Sequence, residues 1–204
     1  MDDQRRRRVR EAWDAVADDY ARMRTPDGPD AALLDDLVAT LPDDATVLDV
    51  GCGDGARTLA NLPAGTVGLD FSRVQLGLAR ERVAGAPLLQ GDMTALPVAD
   101  DSVDAVTAYH AVFHVPREEH PVVYREVARV LRPGGRVLLT VGRGSGNSTA
   151  SDWLGSGHPM FWSTPGRSAT RSQLRDAGFD VVWERLVDDP LGSEALFVLA
   201  ELSE

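Results

Sequence analysis

The residues best suited to chemistry in this chain fall at the ends of short apolar runs. "VLDVGCGDGARTLA", residues 47–60, closes one such run with Asp49 and follows it with Gly51, Gly53 and Gly55. Glycines in that pattern let the backbone turn sharply after a strand and approach a ligand with no side chain between. Spelled Gly51-x-Gly53-x-x-Ala56, the loop also passes as a dinucleotide fingerprint, so by itself it leaves nicotinamide, flavin and other nucleosides open. Asp70 lies 21 residues beyond Asp49, at the tip of "TVGLD", where a carboxylate can accept hydrogen bonds from both hydroxyls of an unphosphorylated ribose. This disfavours NADP and leaves NAD and adenosyl compounds. "QGDMTALP" puts Asp92 at the tip of a third run, placed either to accept from an exocyclic amine such as adenine's or to cap the turn that follows. "AYHAVFHVPREEH" then supplies His110 and His114, whose neutral imidazoles suit proton transfer near pH 7.

These residues need a scaffold that brings strand tips together. Val9, Ala12, Trp13, Val16, Tyr20 and Met23 recur at helical spacing, and Leu33, Leu34, Leu37, Val38 and Leu41 mark a second helix stopped by Pro42, so residues 1–41 read as N-terminal helices. Strands follow at "TVLDV", "TVGLD", "PLLQ", "VDAVTAY" and "RVLLTV". Between them the pattern predicts a helix near 55–62, one capped by Ser72 and Gln75 and stopped by Gly85, and one striped by Val123, Val127, Val130 and Leu131 and ended by "RPGG". Strand and helix in alternation imply a parallel sheet with helices on both faces and ligands at the carboxyl ends of the strands. Residues 142–166 break the rhythm: rich in Gly and Ser, they also carry Trp153, Met160, Phe161 and Trp162, which suggests a lid loop or an aromatic anchor to the core. A helix with Thr170 and Gln173 as its capping box, ending at Gly178, precedes "DVVWERLV" and "EALFVLAEL", two strands joined by a "DDPLGS" turn.

Composition narrows the function. With 204 residues, 43% of them hydrophobic, the expectation is a single domain over 1–204 with a substantial core. No stretch approaches the ~20 apolar residues of a membrane span, and "RRRR" at the N-terminus has no apolar segment behind it, so a cytoplasmic protein is expected. All 21 basic side chains are Arg, and the net charge of −11 would repel a phosphate backbone; Arg5 to Arg8 read as a solvated helix end rather than an RNA arm. The single Cys52 can form no internal disulfide and has no neighbours at metal spacing, so no metal is expected and Cys52 is a small residue beside the loop glycines. There is no serine elbow and no reactive-cysteine setting.

Four segments in order resemble the class I S-adenosylmethionine-dependent methyltransferases, in particular the group acting on small molecules. "VLDVGCGDG" is similar to the family's first motif, "GLDFS" to its acidic ribose motif, "GDMTALPVADDSVDAV" to its adenine and fourth-strand segments, and "VARVLRPGGRVLLT" to the following helix and strand. The resemblance implies an α/β fold: a Rossmann-like, doubly wound, seven-stranded and mostly parallel sheet with an antiparallel C-terminal hairpin. It implies S-adenosyl-L-methionine as cofactor and a small-molecule acceptor as partner, with no nucleic acid, no membrane, and a monomer or homodimer. Carried over by residue, Asp49 and Gly51 face the methionine part, Asp70 the ribose, and Asp92 with the Met93 backbone the adenine, with Cys52 and Gly53 in the same cofactor-binding set. Phe71 packs on the adenine face or in the core, Tyr20 closes over the methionine tail or joins the helical stripe, and Tyr109 completes the cofactor set. His114 matches a histidine common in the family after the fourth strand, where it is often structural. His110 departs from the commonest pattern and stands nearer the strand tip, which makes it the candidate base or orienting group; both histidines are candidate catalytic residues. A non-catalytic protein that binds the cofactor or a related nucleoside, and an NAD-linked oxidoreductase, are the alternative readings.

Overall fold

A computed structural model describes residues 3–23, 27–189 and 193–203. Two helices, α1 (Asp3–Met23) and α2 (Ala31–Val38), precede the sheet. Then come β1 (Val47–Val50), β2 (Val67–Asp70), α3 (Arg73–Arg82), β3 (Leu88–Gln90), β4 (Val103–Ala108), α4 (His120–Val130) and β5 (Leu131–Val141). The chain ends with β6 (Ser145–Ala150), β7 (Met160–Pro165), α5 (Arg167–Asp176), β8 (Phe179–Asp189) and β9 (Ser193–Leu202). The main sheet has seven strands in the order β3-β2-β1-β4-β5-β9-β8, parallel except at β9, which runs antiparallel to both β5 and β8. This is the doubly wound sheet with its C-terminal antiparallel pair that the alternation predicted. Part of the "DDPLGS" turn between those two strands lies outside the described residues.

β1 is central and buried on both faces, as its unbroken Val-Leu-Asp-Val run requires. Leu48, Val50, Val106 and Leu139 fill one main core with Val123, Val127 and Val130 of α4. Leu33, Leu34 and Leu37 of α2 close the other face against Val47, Leu138 and Phe197. β1 pairs with β2 on one side and β4 on the other, so the chain runs from β1 to β2 and β3 on one side and then crosses to β4 on the other, and this reversal opens a crevice at the carboxyl end of β1. Among the described residues no helix is long and apolar enough to cross a membrane.

Four local expectations give way. The helix near 55–62 is instead a series of turns with one 3-10 turn at Leu59–Asn61. The Ala60 N–H reaches back five residues to the Gly55 carbonyl, Thr58 donates its hydroxyl to Asp49, and Pro63 allows no continuation. "RPGG" does not separate a helix from a strand: β5 already pairs at Leu131↔Val103, and the register then jumps to Arg136↔Ala105, so the segment bulges out of the strand. α5 starts three residues before Thr170, because Gly166 (φ +87°) turns the chain out of Pro165; Thr170 is buried inside the helix. Residues 142–166 contain a two-stranded antiparallel hairpin, β6–β7, in full register from Ser145↔Pro165 to Ala150↔Met160. Its Gly/Ser composition masked the pairing, because alternation is hard to see when one strand reads Ser-Gly-Asn-Ser-Thr-Ala.

Candidate functional site

The crevice beyond β1 holds a cavity bordered by the glycine loop, the tips of β2 and β3, the segment after β4 and one side of α1. Gly51 (φ +74°) and Gly53 (φ +55°) are both in left-handed backbone. A Cβ at Gly51 would stand 2.5 Å from the Ala111 Cβ, so the site demands glycine for space as well as conformation. The Gly51 and Cys52 N–H groups both donate to the Leu69 carbonyl, which folds the loop over β2.

Asp70 locks that fold. One carboxylate oxygen accepts from the Gly53 N–H at 3.0 Å and the other from the Ser72 N–H at 2.8 Å, and the residue is only 6% exposed at the cavity edge. Burial pushes its carboxyl up to about 6 against the pull of those N–H groups. Asp49 (1% exposed) accepts from the Thr58 hydroxyl and, at 2.7 Å, from the Thr107 hydroxyl, and burial raises it to about 6 as well. It does not border the cavity; Thr58, which it holds, does. Cys52 borders the cavity as a buried thiol raised by that burial and by the nearby carboxylates, hence unreactive.

Asp92 caps its turn by accepting from the Thr94 N–H and hydroxyl, and it also borders the cavity, where its second oxygen meets Arg6 of α1 at 3.1 Å. Met93 and Phe71 form apolar wall, and Phe71 also packs into a small cluster with Val9, Ala12 and Met160. Tyr20 lines the cavity from α1, edge-on to Trp13 (4.9 Å between ring centres). Tyr109 borders the cavity too, but its ring packs on Phe197 and its hydroxyl donates to the Asp30 carbonyl at 3.2 Å; burial raises the phenol.

His110 stands on the cavity wall in left-handed backbone (φ +51°), held by its N–H to the Thr140 hydroxyl. Its Nε2 is 3.9 Å from Asp30, whose carboxylate is gripped by the Arg57 Nε at 3.0 Å and by the Arg57 Nη2. Burial would raise Asp30, but the His110 contact and the Arg57 charge overcome it and hold the carboxyl below its ordinary range. His114 sits among the rings of Trp13, Phe113 and Trp162, and that desolvation pushes it down to about 4. It is therefore neutral at pH 7. Its Nδ1, 3.0 Å from the Phe161 carbonyl, must carry the proton, which leaves Nε2 as an acceptor. Among the described residues no cluster of possible metal ligands occurs.

Known proteins fit this geometry. The family model described as "Methyltransferase domain" matches residues 48–139. The methyltransferase GfsG of Streptomyces halstedii is 45% identical over 102 residues, 46% of this chain and 36% of that protein. A tRNA (carboxymethyluridine(34)-5-O)-methyltransferase of Arabidopsis thaliana is 26% identical over 166 residues, 74% of this chain and 40% of that protein. The chain thus spans less than half the length of these curated relatives. In fold it is similar to the Burkholderia thailandensis 1,6-didemethyltoxoflavin-N1-methyltransferase, solved with 1,6-didemethyltoxoflavin and S-adenosylhomocysteine, at a TM-score of 0.74 and 19% identity over 100% of this chain and 91% of the other. Over residues 48–139 the chain is thus similar to a methyltransferase domain, and it has the fold of a methyltransferase solved with S-adenosylhomocysteine.

The residues of this cavity fit S-adenosylmethionine on an observation of their own. Gln75 is 2% exposed and borders the cavity, yet neither its amide nitrogen nor its oxygen has a hydrogen-bond partner. Its Oε1 lies 3.8 Å from where a Gly53 Cβ would be, beside the Asp70 carboxylate. Leaving a buried amide unsatisfied costs about 1–3 kcal/mol per group, and a ribose hydroxyl, both donor and acceptor, would remove that cost. Reading Gln75 as half of a capping box missed this. Ser72 does accept from the Gln75 N–H at 3.1 Å, but the amide does not reach back and instead turns to the cavity. Also missed are Asp30 and Arg57, which meet across 27 residues of sequence with no motif to announce it, and Arg5 and Arg6, half-buried at the cavity although the run looked solvated.

Proposed function

We propose that this chain moves the methyl group of S-adenosylmethionine to a small-molecule acceptor bound between α1 and the segment after β4. The observation that carries the reading is the convergence of Gly51–Gly53, Asp70, Asp92 and His114 on one cavity. The net charge of −11 supports a small acceptor over a nucleic acid, and so does the small-molecule substrate bound to the B. thailandensis neighbour. When bound, the cofactor supplies an electrophilic methyl on a sulfonium, so the chain's task is alignment and exclusion of water. Asp70 and Gln75 hold the ribose, while Asp92 and the Met93 backbone hold adenine under Phe71. Tyr20 and the loop around Gly51, Cys52 and Gly53 enclose the methionine end, and Tyr109 braces that end from behind. His110, fixed by Asp30 and its own strained backbone, orients the acceptor or takes its proton, and neutral His114 offers an acceptor atom beside it.

Calorimetry with S-adenosylmethionine, S-adenosylhomocysteine and NAD, followed by a labelled-methyl assay against small molecules and tRNA, tests the reading. Expected are binding of the first two, far weaker binding of NAD, and label in a small molecule. Label in tRNA alone overturns the small-molecule assignment, and failure to bind S-adenosylhomocysteine overturns the site. With a true acceptor in hand, His110→Gln should lower turnover about 100-fold if the imidazole is a base, and should mostly raise KM if it orients.

A further inference from the structure

Resting on that reading, we infer that the acceptor is an apolar small molecule carrying one carboxylate, which Arg5 receives. The acceptor end of the cavity is bordered by Val9, Trp13, Val115 and Pro116, an apolar surface among which stand the polar side chains of His110, His114, Arg6 and Arg5. The neighbouring arginine is already committed: Arg6 pairs with Asp92 at 3.1 Å and with Glu119 at 2.8 Å. Arg5 is not. Its Nε is buried with no hydrogen-bond partner, its guanidinium lies 5.5 Å over the Phe161 ring, and among the described residues no carboxylate stands within ion-pair distance of it. The acidic group it influences is exposed Glu118, whose carboxyl is lowered by its own backbone and by Arg117 before Arg5 contributes.

A buried guanidinium nitrogen without a partner, in a chain with 32 acidic residues against 21 basic, is an unused anion site. An aromatic face offers such a cation part of what it lost in leaving water, and a carboxylate offers more. Four further arginines within residues 6–10 of the same helix concentrate positive charge at this end and offset the chain's repulsion of an anion. If the carboxylate is itself methylated, one of its oxygens forms the new bond to the methyl carbon as the carbon–sulfur bond breaks and sulfur keeps the electron pair. No proton moves, the sulfonium and carboxylate charges cancel, and the neutral ester loses its hold on Arg5.

The test uses the full chain saturated with S-adenosylhomocysteine and three matched probe pairs: octanoate, 3-phenylpropanoate and indole-3-acetate, each against its primary amide. Binding is read by tryptophan fluorescence. Each acid should bind at least tenfold tighter than its amide, Arg5→Gln should erase that preference, and Arg7→Gln, on the exposed face of the same helix, should keep it. Arg5→Lys, which retains the charge, should keep part of it, and circular dichroism checks that the variants are folded. Equal binding of acids and amides, no binding of any acid up to millimolar concentration, or an unchanged preference in folded Arg5→Gln overturns the inference. Loss of S-adenosylhomocysteine binding by the unmodified chain would instead overturn the proposed function.

Discussion

The two ends of the cavity are built by different means. At the cofactor end the key positions are backbone: two left-handed glycines, N–H groups shared with the Leu69 carbonyl, and a carboxylate that spans Gly53 and Ser72. At the acceptor end they are side chains from two distant segments, α1 and the turn at Val112–His114, backed by rings of the β6–β7 segment: Trp13 packs at 4.9 Å on Trp153 and 5.3 Å on His114. The family match stops at residue 139, before the hairpin, and begins after α1. A backbone-built site tolerates little change of sequence, whereas a site assembled from side chains can be rebuilt for a new acceptor without disturbing the first.

If the cofactor end is set by backbone, its most severe lesion should be the smallest side-chain addition. Gly51→Ala places a Cβ 2.5 Å from the Ala111 Cβ in a conformation alanine adopts only with strain. Strain and clash together should cost about 3–5 kcal/mol of stability or of S-adenosylhomocysteine affinity, read by thermal melting and calorimetry. A variant with near-normal stability and affinity would break the contrast.

A second test separates what the cofactor end costs from what it does. Asp49 and Asp70 both have folded-state values near 6 against about 4 in an unfolded chain. Between those values the folded protein binds more protons than the unfolded one, so these two groups make stability fall as pH rises from about 4 to about 6. Asp30, held low by His110 and Arg57, acts in the opposite direction, contributing stability that disappears as acid protonates it. Asp49→Asn removes one buried charge while the Thr58 and Thr107 hydroxyls can rotate to suit an amide. The variant should gain about 1–3 kcal/mol at pH 7 and show a flatter profile between pH 4 and 6, measured by urea unfolding.

The same division explains what the amino-acid order made legible. The seven-stranded sheet and the positions of Asp49, Asp70 and Asp92 at strand ends follow from apolar runs, glycines and spacing, all local signals. Arg57 and Asp30 carry no such signal, since their pairing depends on how the segment before α2 lies against the glycine loop. Arg5 and Arg6 were misjudged because a run of four arginines says nothing about which of them face inward once α1 is laid across the sheet. The lid reading of Trp153, Phe161 and Trp162 rested on a Gly/Ser setting. In the fold these rings sit behind Trp13 and His114 and do not border the cavity.

That placement yields the smallest expected effect. The hairpin meets the cofactor end through α1, which is tied there by the Ser72 hydroxyl to Asp14 and by Arg6 to Asp92, and through the cluster of Met160 with Val9, Ala12 and Phe71. A cofactor that orders Asp92 and Phe71 should therefore steady α1 and, through Trp13 and Trp153, the residues between β6 and β7. Limited proteolysis should cleave within residues 142–157 a few-fold more slowly with S-adenosylhomocysteine than without, because cleavage there reads local opening rather than global unfolding. A true acceptor bound alongside should slow it again, whereas Trp153→Ala, which removes the ring joining hairpin to α1, should abolish the first effect and leave cofactor affinity within about twofold. Equal cleavage in all states would mean that the hairpin is anchored independently of both ligands, and the lid reading would fail.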